Sequence, residues 1–239
     1  MLTLSKVTKK FGELVAVNDL GFTVEKGQIF GIAGPNGAGK STVYNLITGF
    51  YPYQGRVMFD GRDISGLPPH RIARIGIART FQVPRSFPSM TVEENVAVGG
   101  RFGHSGRFDP SFVDDIIRFV DLEAQRRWPA GRLNLLDQKE LMMAAALATR
   151  PRLLMLDEPM AGSNTAEIRK LMDLIRSINQ DLGITIIIIE HFMKVLTELT
   201  EKLLIIESGT AIAFGDPEAV TSDPRVCEVY LGKTYAESH

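Results

Sequence analysis

The stretch Gly34–Thr42 reads GPNGAGKST and fits the phosphate-loop pattern, in which a glycine is followed by four free positions and then by Gly-Lys-Ser. A short apolar run, Gln28–Ala33, precedes it and is predicted to be a strand. Residues Ser41–Thr48 follow and are predicted to be a helix. Because a phosphate loop works between a strand and a helix, these surroundings favour one over a chance glycine-rich turn.

Glycines in such a loop allow backbone N–H groups to turn inward and hold phosphate oxygens at a helix N-terminus, where the helix dipole also favours anions. Lys40 is predicted to reach the terminal phosphates, and the Ser41 hydroxyl is predicted to bind Mg²⁺. From average residue frequencies, a chance match arises in about 1 in 100 chains of this length. We therefore predict a site for a nucleoside triphosphate. Its predicted loop residues are Gly34, Pro35, Asn36, Gly37, Ala38, Gly39, Lys40, Ser41 and Thr42.

The composition is that of an ordinary globular protein, because 239 residues with 44% hydrophobic and 23% charged side chains can bury a sizeable core. The formal net charge of −1 gives no support for binding nucleic acid through a basic surface. The single cysteine, Cys227, excludes an internal disulfide and indicates a reducing compartment. The longest strongly apolar run, Ile184–Ile189, is too short to span a bilayer, so we expect any membrane role to depend on a partner.

Patterns of apolar residues divide the chain into an α/β core and a helical insert. Buried β-branched runs flanked by helices indicate parallel strands covered on both faces. We expect a nucleotide-binding core of residues 1–83 and 151–239, interrupted by a mainly helical subdomain over residues 84–150. The predicted strands are Leu2–Val7, Phe22–Val24, Arg56–Phe59, Ile75–Phe81, Leu153–Leu156, Ile184–Ile189 and Leu203–Ile206, and the predicted helices of the insert are Thr91–Val98, Phe112–Val120 and Gln138–Thr149.

Two adjacent carboxylates, Asp157 and Glu158, follow the buried run Leu153–Leu156. Adjacent residues on a strand point to opposite sides, so the two acids can do different work. We predict that Asp157 holds Mg²⁺ and that Glu158 faces the γ-phosphate and polarises an attacking water. The alternative is an acid pair that caps the next turn, but phosphoryl transfer needs both a metal holder and a group that positions water.

Three further side chains are candidates because of their places at the ends of strands or before the core. His191 follows the isoleucine-rich strand, where an imidazole could contact the γ-phosphate. Gln82 ends a predicted core strand, and its amide could reach the metal or the water; a surface glutamine is the alternative. Phe11 lies in a turn before the core, where its ring could stack on a base, and a packing role is compatible with that.

With these parts in this order, the chain resembles the ATP-binding subunits of ABC transporters over essentially its whole length. The phosphate loop, Gln82, the acid pair and His191 are similar to that family's Walker A, Q-loop, Walker B and switch histidine. The resemblance implies a P-loop ATPase core with an antiparallel β edge and an inserted helical subdomain. It also implies an ATPase that uses ATP and Mg²⁺. The implied catalytic residues are Lys40, Gln82, Glu158 and His191, and the implied metal-binding residues are Ser41, Gln82 and Asp157.

Finer segments resemble the branched-chain amino-acid uptake subgroup of this family. They are LPPHRIAR at 67–74, GIARTFQ at 76–82, TVEENV at 91–96, IEH at 189–191 and EVYLG at 228–232. The resemblance implies an importer subunit on the cytoplasmic face of the cell membrane. Its implied partners are a homologous ATPase subunit, two membrane-spanning permease subunits and, indirectly, a solute-binding protein.

One segment departs from the family's pattern. The signature Leu-Ser-Gly-Gly-Gln should lie before the helix that leads to Asp157, and this chain has Leu133–Asp137, LNLLD, at that place. Asn134 replaces a serine that contacts the γ-phosphate, and Leu136 replaces a glycine, which predicts a leucine strained at positive φ. In this family the signature acts on nucleotide held by the partner subunit. We expect a competent phosphate loop here and a weak composite site for the partner, unless the backbone donors survive and the loop tolerates these residues.

Two other functions fit part of this pattern. A clamp or regulatory binding module of the same ATPase type would dimerise on ATP and hydrolyse little, and the departure at Leu133–Asp137 favours it. A kinase fits less well because no acceptor-binding segment is apparent. The transport-like segments favour an ATP-hydrolysing subunit that drives uptake of branched-chain or related amino acids.

Overall fold

The computed structural model describes residues 1–103 and 108–231, so that Gly232, in the last of the transport-like segments, lies outside the described residues. In these two ranges no helix has the length and hydropathy of a bilayer span. The strands are β1 (Leu2–Phe11), β2 (Leu14–Val24), β3 (Ile29–Ala33), β4 (Gln54–Phe59), β5 (Arg62–Asp63), β6 (Ile77–Arg79), β7 (Leu153–Asp157), β8 (Thr185–Ile189), β9 (Lys202–Glu207) and β10 (Thr210–Gly215). The helices are α1 (Lys40–Ile47), α2 (Pro69–Arg74), α3 (Val92–Phe102), α4 (Pro110–Phe119), α5 (Leu135–Ala148), α6 (Thr165–Gln180), α7 (Met193–Leu199), α8 (Pro217–Thr221) and α9 (Pro224–Leu231).

The first compact unit comprises the described residues of Met1–Pro69 and Thr185–His239. It contains an antiparallel sheet in the order β2-β1-β4-β5. Its other strands lie in the order β10-β9-β3-β8, with β3 parallel to both β8 and β9. Every residue of β3 and β8 is buried, because both strands are continuous apolar runs covered on both faces.

Helix α1 is attached to this sheet through its own buried face. Tyr44 in α1 is fully buried, and its hydroxyl donates a hydrogen bond of 2.8 Å to the carbonyl of Ile187 in β8. A buried tyrosine needs such a partner for its hydroxyl, so this bond fixes the helix on the strand. The start of α1 is thereby held at a constant place relative to β3 and β8.

The second compact unit, His70–Ile184, combines the parallel pair β6 and β7 with helices. Residues 84–103 and 108–150 contain helices and no strand beyond a single bridge between Thr91 and Pro129. Helix α3 begins with a capping box from Thr91 and Glu94. The predicted division, a core of residues 1–83 and 151–239 around a subdomain at 84–150, stays a prediction, because this unit has other bounds.

Several predicted element bounds were wrong. The strand predicted at Leu2–Val7 continues to Phe11, and the one predicted at Phe22–Val24 already begins at Leu14. The strand predicted at Ile75–Phe81 is only Ile77–Arg79, because Ile75 closes α2 through a hydrogen bond to Arg71 and Gly76 turns the chain at a φ of 96°. Gln82 therefore lies after the strand and does not end it. The helix predicted from Gln138 begins at Leu135, because the side chain of Asn134 accepts a hydrogen bond from the third helical amide and caps the helix.

Candidate nucleotide site

The phosphate loop connects the end of β3 to the start of α1, as the pattern predicts. Two of its glycines admit no other residue. A Cβ on Gly34 would lie 2.0 Å from the Ile206 carbonyl oxygen, and one on Gly39 would lie 2.4 Å from the Ala16 carbonyl oxygen. Gly39 also has a φ of 101°, which disfavours L side chains. The fold therefore presses the backbone of this loop against its neighbours on both sides.

The side chain of Lys40 folds back onto the phosphate loop. Lys40 is 7% exposed, and its Nζ donates hydrogen bonds to the carbonyl oxygens of Gly34, at 2.7 Å, and Pro35, at 3.0 Å. Ser41 and the loop residues Asn36 and Gly37 are exposed at the same N-terminus. The ammonium and the N-terminal dipole of α1 together favour an anion at this place.

His191 leaves the sheet at the same edge as the phosphate loop. In the parallel pair of β3 and β8, Ile32 lies opposite Ile189. Gly34 comes two residues after Ile32, and His191 comes two residues after Ile189, so both leave the sheet at the same edge. The His191 side chain is 47% exposed, and its Nδ1 lies 3.8 Å from Oε2 of the fully buried Glu190. An exposed imidazole at this edge can reach a ligand held by the loop.

Phe11 is the last residue of β1 and does not lie in a turn as predicted, because β1 and β2 pair up to Phe11 and Leu14. It has 41% of its surface exposed. Its ring packs edge-to-face against Tyr51, with 5.2 Å between the ring centroids. Lys9 Nζ lies 4.8 Å from the Phe11 ring centroid. The ring has packing partners and also keeps exposed surface, so the predicted packing and stacking roles are compatible. Tyr51 was missed from the sequence, where nothing links it to Phe11.

The two adjacent carboxylates contact different partners in the second unit. Asp157, the last residue of β7, pairs its Oδ2 with the guanidinium of Arg79 at 2.8 Å, and both side chains are less than one tenth exposed. Glu158 accepts a hydrogen bond of 2.7 Å at Oε2 from Gln82 Nε2. The backbone φ of Glu158 is 46°, an uncommon value for a residue with a side chain. Such strain persists only where the surroundings over-determine it, and it clusters at functional sites.

Arg79 was not singled out from the sequence. It lies on β6 opposite Met155 of β7, which places its side chain within reach of Asp157. The signal available in the sequence was a cation, Arg79, within a predicted buried strand, together with a second buried strand that ends in the carboxylate of Asp157. Gln82 was predicted to reach a metal or water, and its contact here is with Glu158; the metal contact stays a prediction.

The segment Leu133–Asp137 has the geometry of a helix start. Asn134 caps α5, and its Nδ2 also donates to Asp137 Oδ2 at 3.1 Å. The expectation of a leucine strained at positive φ was wrong, because Leu136 lies within α5 and is absent from the described non-glycine residues at positive φ. The helical turn replaces the glycine-dependent backbone, so this departure from the signature carries no strain.

The donors fit Mg²⁺ as a metal held mainly by its substrate. The carboxylate oxygens of Asp157 and the hydroxyl of Ser41 are each of the hard oxygen type that Mg²⁺ prefers, and that they hold the metal stays a prediction. Within residues 1–103 and 108–231 no group of three or more His, Cys, Asp or Glu side chains could hold a metal ion. A metal bound through few protein ligands keeps waters and phosphates as its remaining ligands, as Mg²⁺ does at nucleotide sites.

Comparison with known proteins tests the resemblance. Residues 17–161 match the family described as ABC transporter. The chain is 38% identical to the high-affinity branched-chain amino acid transport ATP-binding protein BraF of Pseudomonas aeruginosa and 36% identical to the corresponding protein LivG of Escherichia coli K12, each over 98% of both chains. The crystal structure of MJ1267, an ATP-binding cassette of an ABC transporter in its ADP conformation, matches with a TM-score of 0.88 and 32% identity over 98% of this chain and 99% of that one. The predicted α/β fold is therefore confirmed, and the chain belongs to the ABC transporter family.

Proposed function

We propose that this chain is the ATP-hydrolysing subunit of an importer for branched-chain or related amino acids. Two ATP molecules would be bound between this chain and a homologous ATPase subunit, and closure of the pair would drive two membrane-spanning permease subunits. A solute-binding protein would feed the permease. The chain would then lie on the cytoplasmic face of the cell membrane, attached through the permease subunits.

One observation carries the ATPase part of this proposal. The phosphate loop brings the Lys40 ammonium, exposed backbone and the N-terminus of α1 to one place, at the sheet edge from which His191 also emerges. This arrangement suits a polyanion such as the phosphates of a nucleotide. The solute part is supported by the names of relatives that match 98% of the chain.

The proposed mechanism assigns one task to each side chain. Lys40 exchanges its two carbonyl contacts for phosphate oxygens, which form stronger charge-assisted hydrogen bonds. Glu158 accepts a hydrogen bond from the attacking water and orients it in line with the bond that breaks. His191 donates to the γ-phosphate. Ser41, Gln82 and Asp157 would hold Mg²⁺, which would supply positive charge against the negative charge of the phosphates.

Most of the rate gain in this mechanism comes from position and electrostatics, because phosphoryl transfer requires little covalent chemistry from the protein. Phe11 would stack on the adenine with its exposed face. The composite site that Leu133–Asp137 completes for the partner subunit would be weak, since Asn134 and Leu136 are committed to a helix start.

The ATPase proposal is tested by calorimetry and a hydrolysis assay on the purified chain with Mg²⁺ and ATP. We expect binding to the isolated chain and hydrolysis that co-purified membrane subunits stimulate. An absence of binding to adenine nucleotides would refute the proposal. Hydrolysis that stays slow with membrane subunits present would support a clamp, which the transport names of the relatives do not favour.

The identity of the solute is tested separately, in cells in which the Glu158→Gln variant replaces the wild-type chain. We expect uptake of labelled leucine, isoleucine and valine to fall, while uptake of a sugar by another transporter stays constant. Unchanged uptake of all three amino acids would exclude them as solutes and leave the ATPase proposal standing.

A further inference from the structure

Lys139 is a buried cation that the proposed mechanism does not use. It lies in the second turn of α5 and is 1% exposed. Its Nζ donates hydrogen bonds to the carbonyl oxygen of Ala161, at 2.6 Å, and to Ser163 Oγ, at 2.7 Å. A buried ammonium is tolerated only when hydrogen bonds replace its lost hydration, so these acceptors are held firmly in place.

The acceptors belong to the turn that immediately follows the acid pair. The amide of Ala161 donates to the carbonyl of Glu158 at 3.2 Å, which closes a turn around the strained Glu158 backbone. Lys139 binds the carbonyl oxygen of Ala161, the residue whose amide closes this turn. A left-handed φ at a glutamate persists only if the surroundings hold it, and the Lys139 contact lies three residues from Glu158.

Two more contacts join the first turns of α5 to the chain after this turn. A Cβ on Gly162 would lie 3.3 Å from Cδ2 of Leu135, so the leucine covers the glycine. The carboxylate of Glu140, 1% exposed, lies 2.9 Å from Lys170 Nζ in α6. These contacts hold the two segments together but do not touch the turn from Glu158 to Ala161. They offer a matched control for general destabilisation.

We propose that Lys139 is a positioning residue that fixes the backbone of Glu158, through the Ala161 carbonyl, in the conformation needed for hydrolysis. The inference rests on the proposed role of Glu158 in ATP hydrolysis. Lys139 belongs to the second compact unit and the phosphate loop to the first, and Lys139 donates hydrogen bonds to Ala161 and Ser163. Its loss should therefore slow turnover without weakening ATP binding.

The test compares Lys139→Met with Lys139→Arg and with Lys170→Met in the full chain. We expect Lys139→Met to lower kcat about tenfold or more while the Kd for ATP changes less than about twofold, since small misplacements of a reacting group are costly. Lys139→Arg, which keeps donors, should recover most of the rate. Lys170→Met should lower the melting temperature and keep kcat near the wild-type value. Ser163→Ala, which removes one acceptor, should give a smaller loss of kcat and serves if Lys139→Met does not fold.

Hydrogen exchange of the amides at residues 158 and 160–163 supplies a readout that does not depend on hydrolysis. Faster exchange there in Lys139→Met, but not in Lys170→Met, supports the inference. Unchanged kcat and exchange in Lys139→Met, or an equal loss of kcat in Lys170→Met, would overturn it. The two proposals can also fail separately. If the wild-type chain binds ATP but does not hydrolyse it, the proposed function is refuted. If Lys139→Met nevertheless exchanges these amides faster than wild type, the role of Lys139 in holding the backbone is retained.

Discussion

Gln82 and Glu158, separated by 76 residues in the chain, are joined by a hydrogen bond of 2.7 Å between Nε2 and Oε2. Gln82 is exposed and directly precedes the segment in which Pro84 and Pro88 interrupt regular structure. A movement of that segment would therefore act on the carboxylate that we propose to orient water. This bond gives a physical route by which a movement of that segment would alter the proposed hydrolysis.

Glu158→Gln should retain ATP binding and lose turnover. The variant side chain keeps the shape of glutamate and can still accept a hydrogen bond from Gln82, but it lacks the charge that polarises water. We expect hydrolysis to fall by about 100-fold or more, within the range of general-base losses, and the Kd for ATP to change little. Glu198→Gln, at a half-exposed carboxylate in α7, is the control. Equal turnover in wild type and Glu158→Gln would remove Glu158 from its role.

Lys40→Ala should weaken nucleotide binding itself. Hydrogen bonds to charged groups contribute about 1.5–3 kcal/mol, which corresponds to an ATP affinity about 10- to 150-fold lower. The control is Lys194→Ala, whose side chain is 90% exposed in α7. Titration calorimetry with Mg²⁺ and ATP measures both. An affinity loss shared by the two variants would show that net charge, and not the loop, governs binding.

Arg79→Met should destabilise the fold because it leaves the buried carboxylate of Asp157 without its guanidinium. Breaking a buried pair by removing one partner costs about 3–5 kcal/mol. Arg56→Ala, which breaks an exposed pair with Asp63, should leave the urea midpoint nearly unchanged. Urea unfolding followed by circular dichroism measures both variants. A stability of Arg79→Met close to wild type would show that the pair of Arg79 and Asp157 does not contribute to the stability of the fold.

Glu140 should make stability depend on pH. Burial raises the pKa of its carboxyl above 4.5, and Lys170 offsets only part of that rise. A raised folded-state pKa means that the native chain holds its proton longer than the unfolded chain. Its contribution to stability is therefore present below about pH 4.5 and is lost as the pH rises through the folded-state pKa.

Glu140→Gln removes this titration, so the stability difference between wild type and variant should move against the wild type as the pH rises from 4 to 7. Urea unfolding at each pH gives that difference. A difference that does not change with pH would show that the charge of Lys170 fully compensates the burial of Glu140. Glu198→Gln again serves as an exposed control.

Asn134→Ser with Leu136→Gly should test the weak composite site. Serine keeps the cap of α5, whereas glycine inside the helix costs about 1 kcal/mol. If Leu133–Asp137 impairs the site completed for the partner, the double variant hydrolyses ATP faster, as a homodimer or in the full complex. Asn134→Ser alone is the control. No gain in either assembly would mean that the helix start already serves the partner.

The phosphate loop and the acid pair could be found from the sequence because their signals are local. Glycine spacing, the apolar strand before it and the helix after it all lie within Gln28–Thr48. Asp157 and Glu158 follow a run of apolar residues that only a buried strand explains. Such patterns indicate backbone conformation and burial, and each of them is complete within a few consecutive residues.

Element bounds were less predictable where a single side chain decides them. Asn134 could be recognised as a possible cap only if its side chain was known to turn back onto the helix. The expectation that Leu136 has a positive φ followed the family's glycine pattern, but the cap at Asn134 starts a helix there. A single capping side chain can thus move the start of a helix by a few residues without changing the fold.

The sequence by itself determined the phosphate loop, the buried core strands on either side of the helical segment and the adjacent carboxylates at the end of β7, because these depend on neighbouring residues. Only the tertiary structure decided which groups these side chains contact: Arg79 on Asp157, Gln82 on Glu158 and Lys139 on the turn at Ala161. Each of these contacts joins parts of the chain that are far apart in sequence. The strength of the contacts at Asp157 and at Lys139 depends on burial, which removes water from the charges and which only the packed fold establishes.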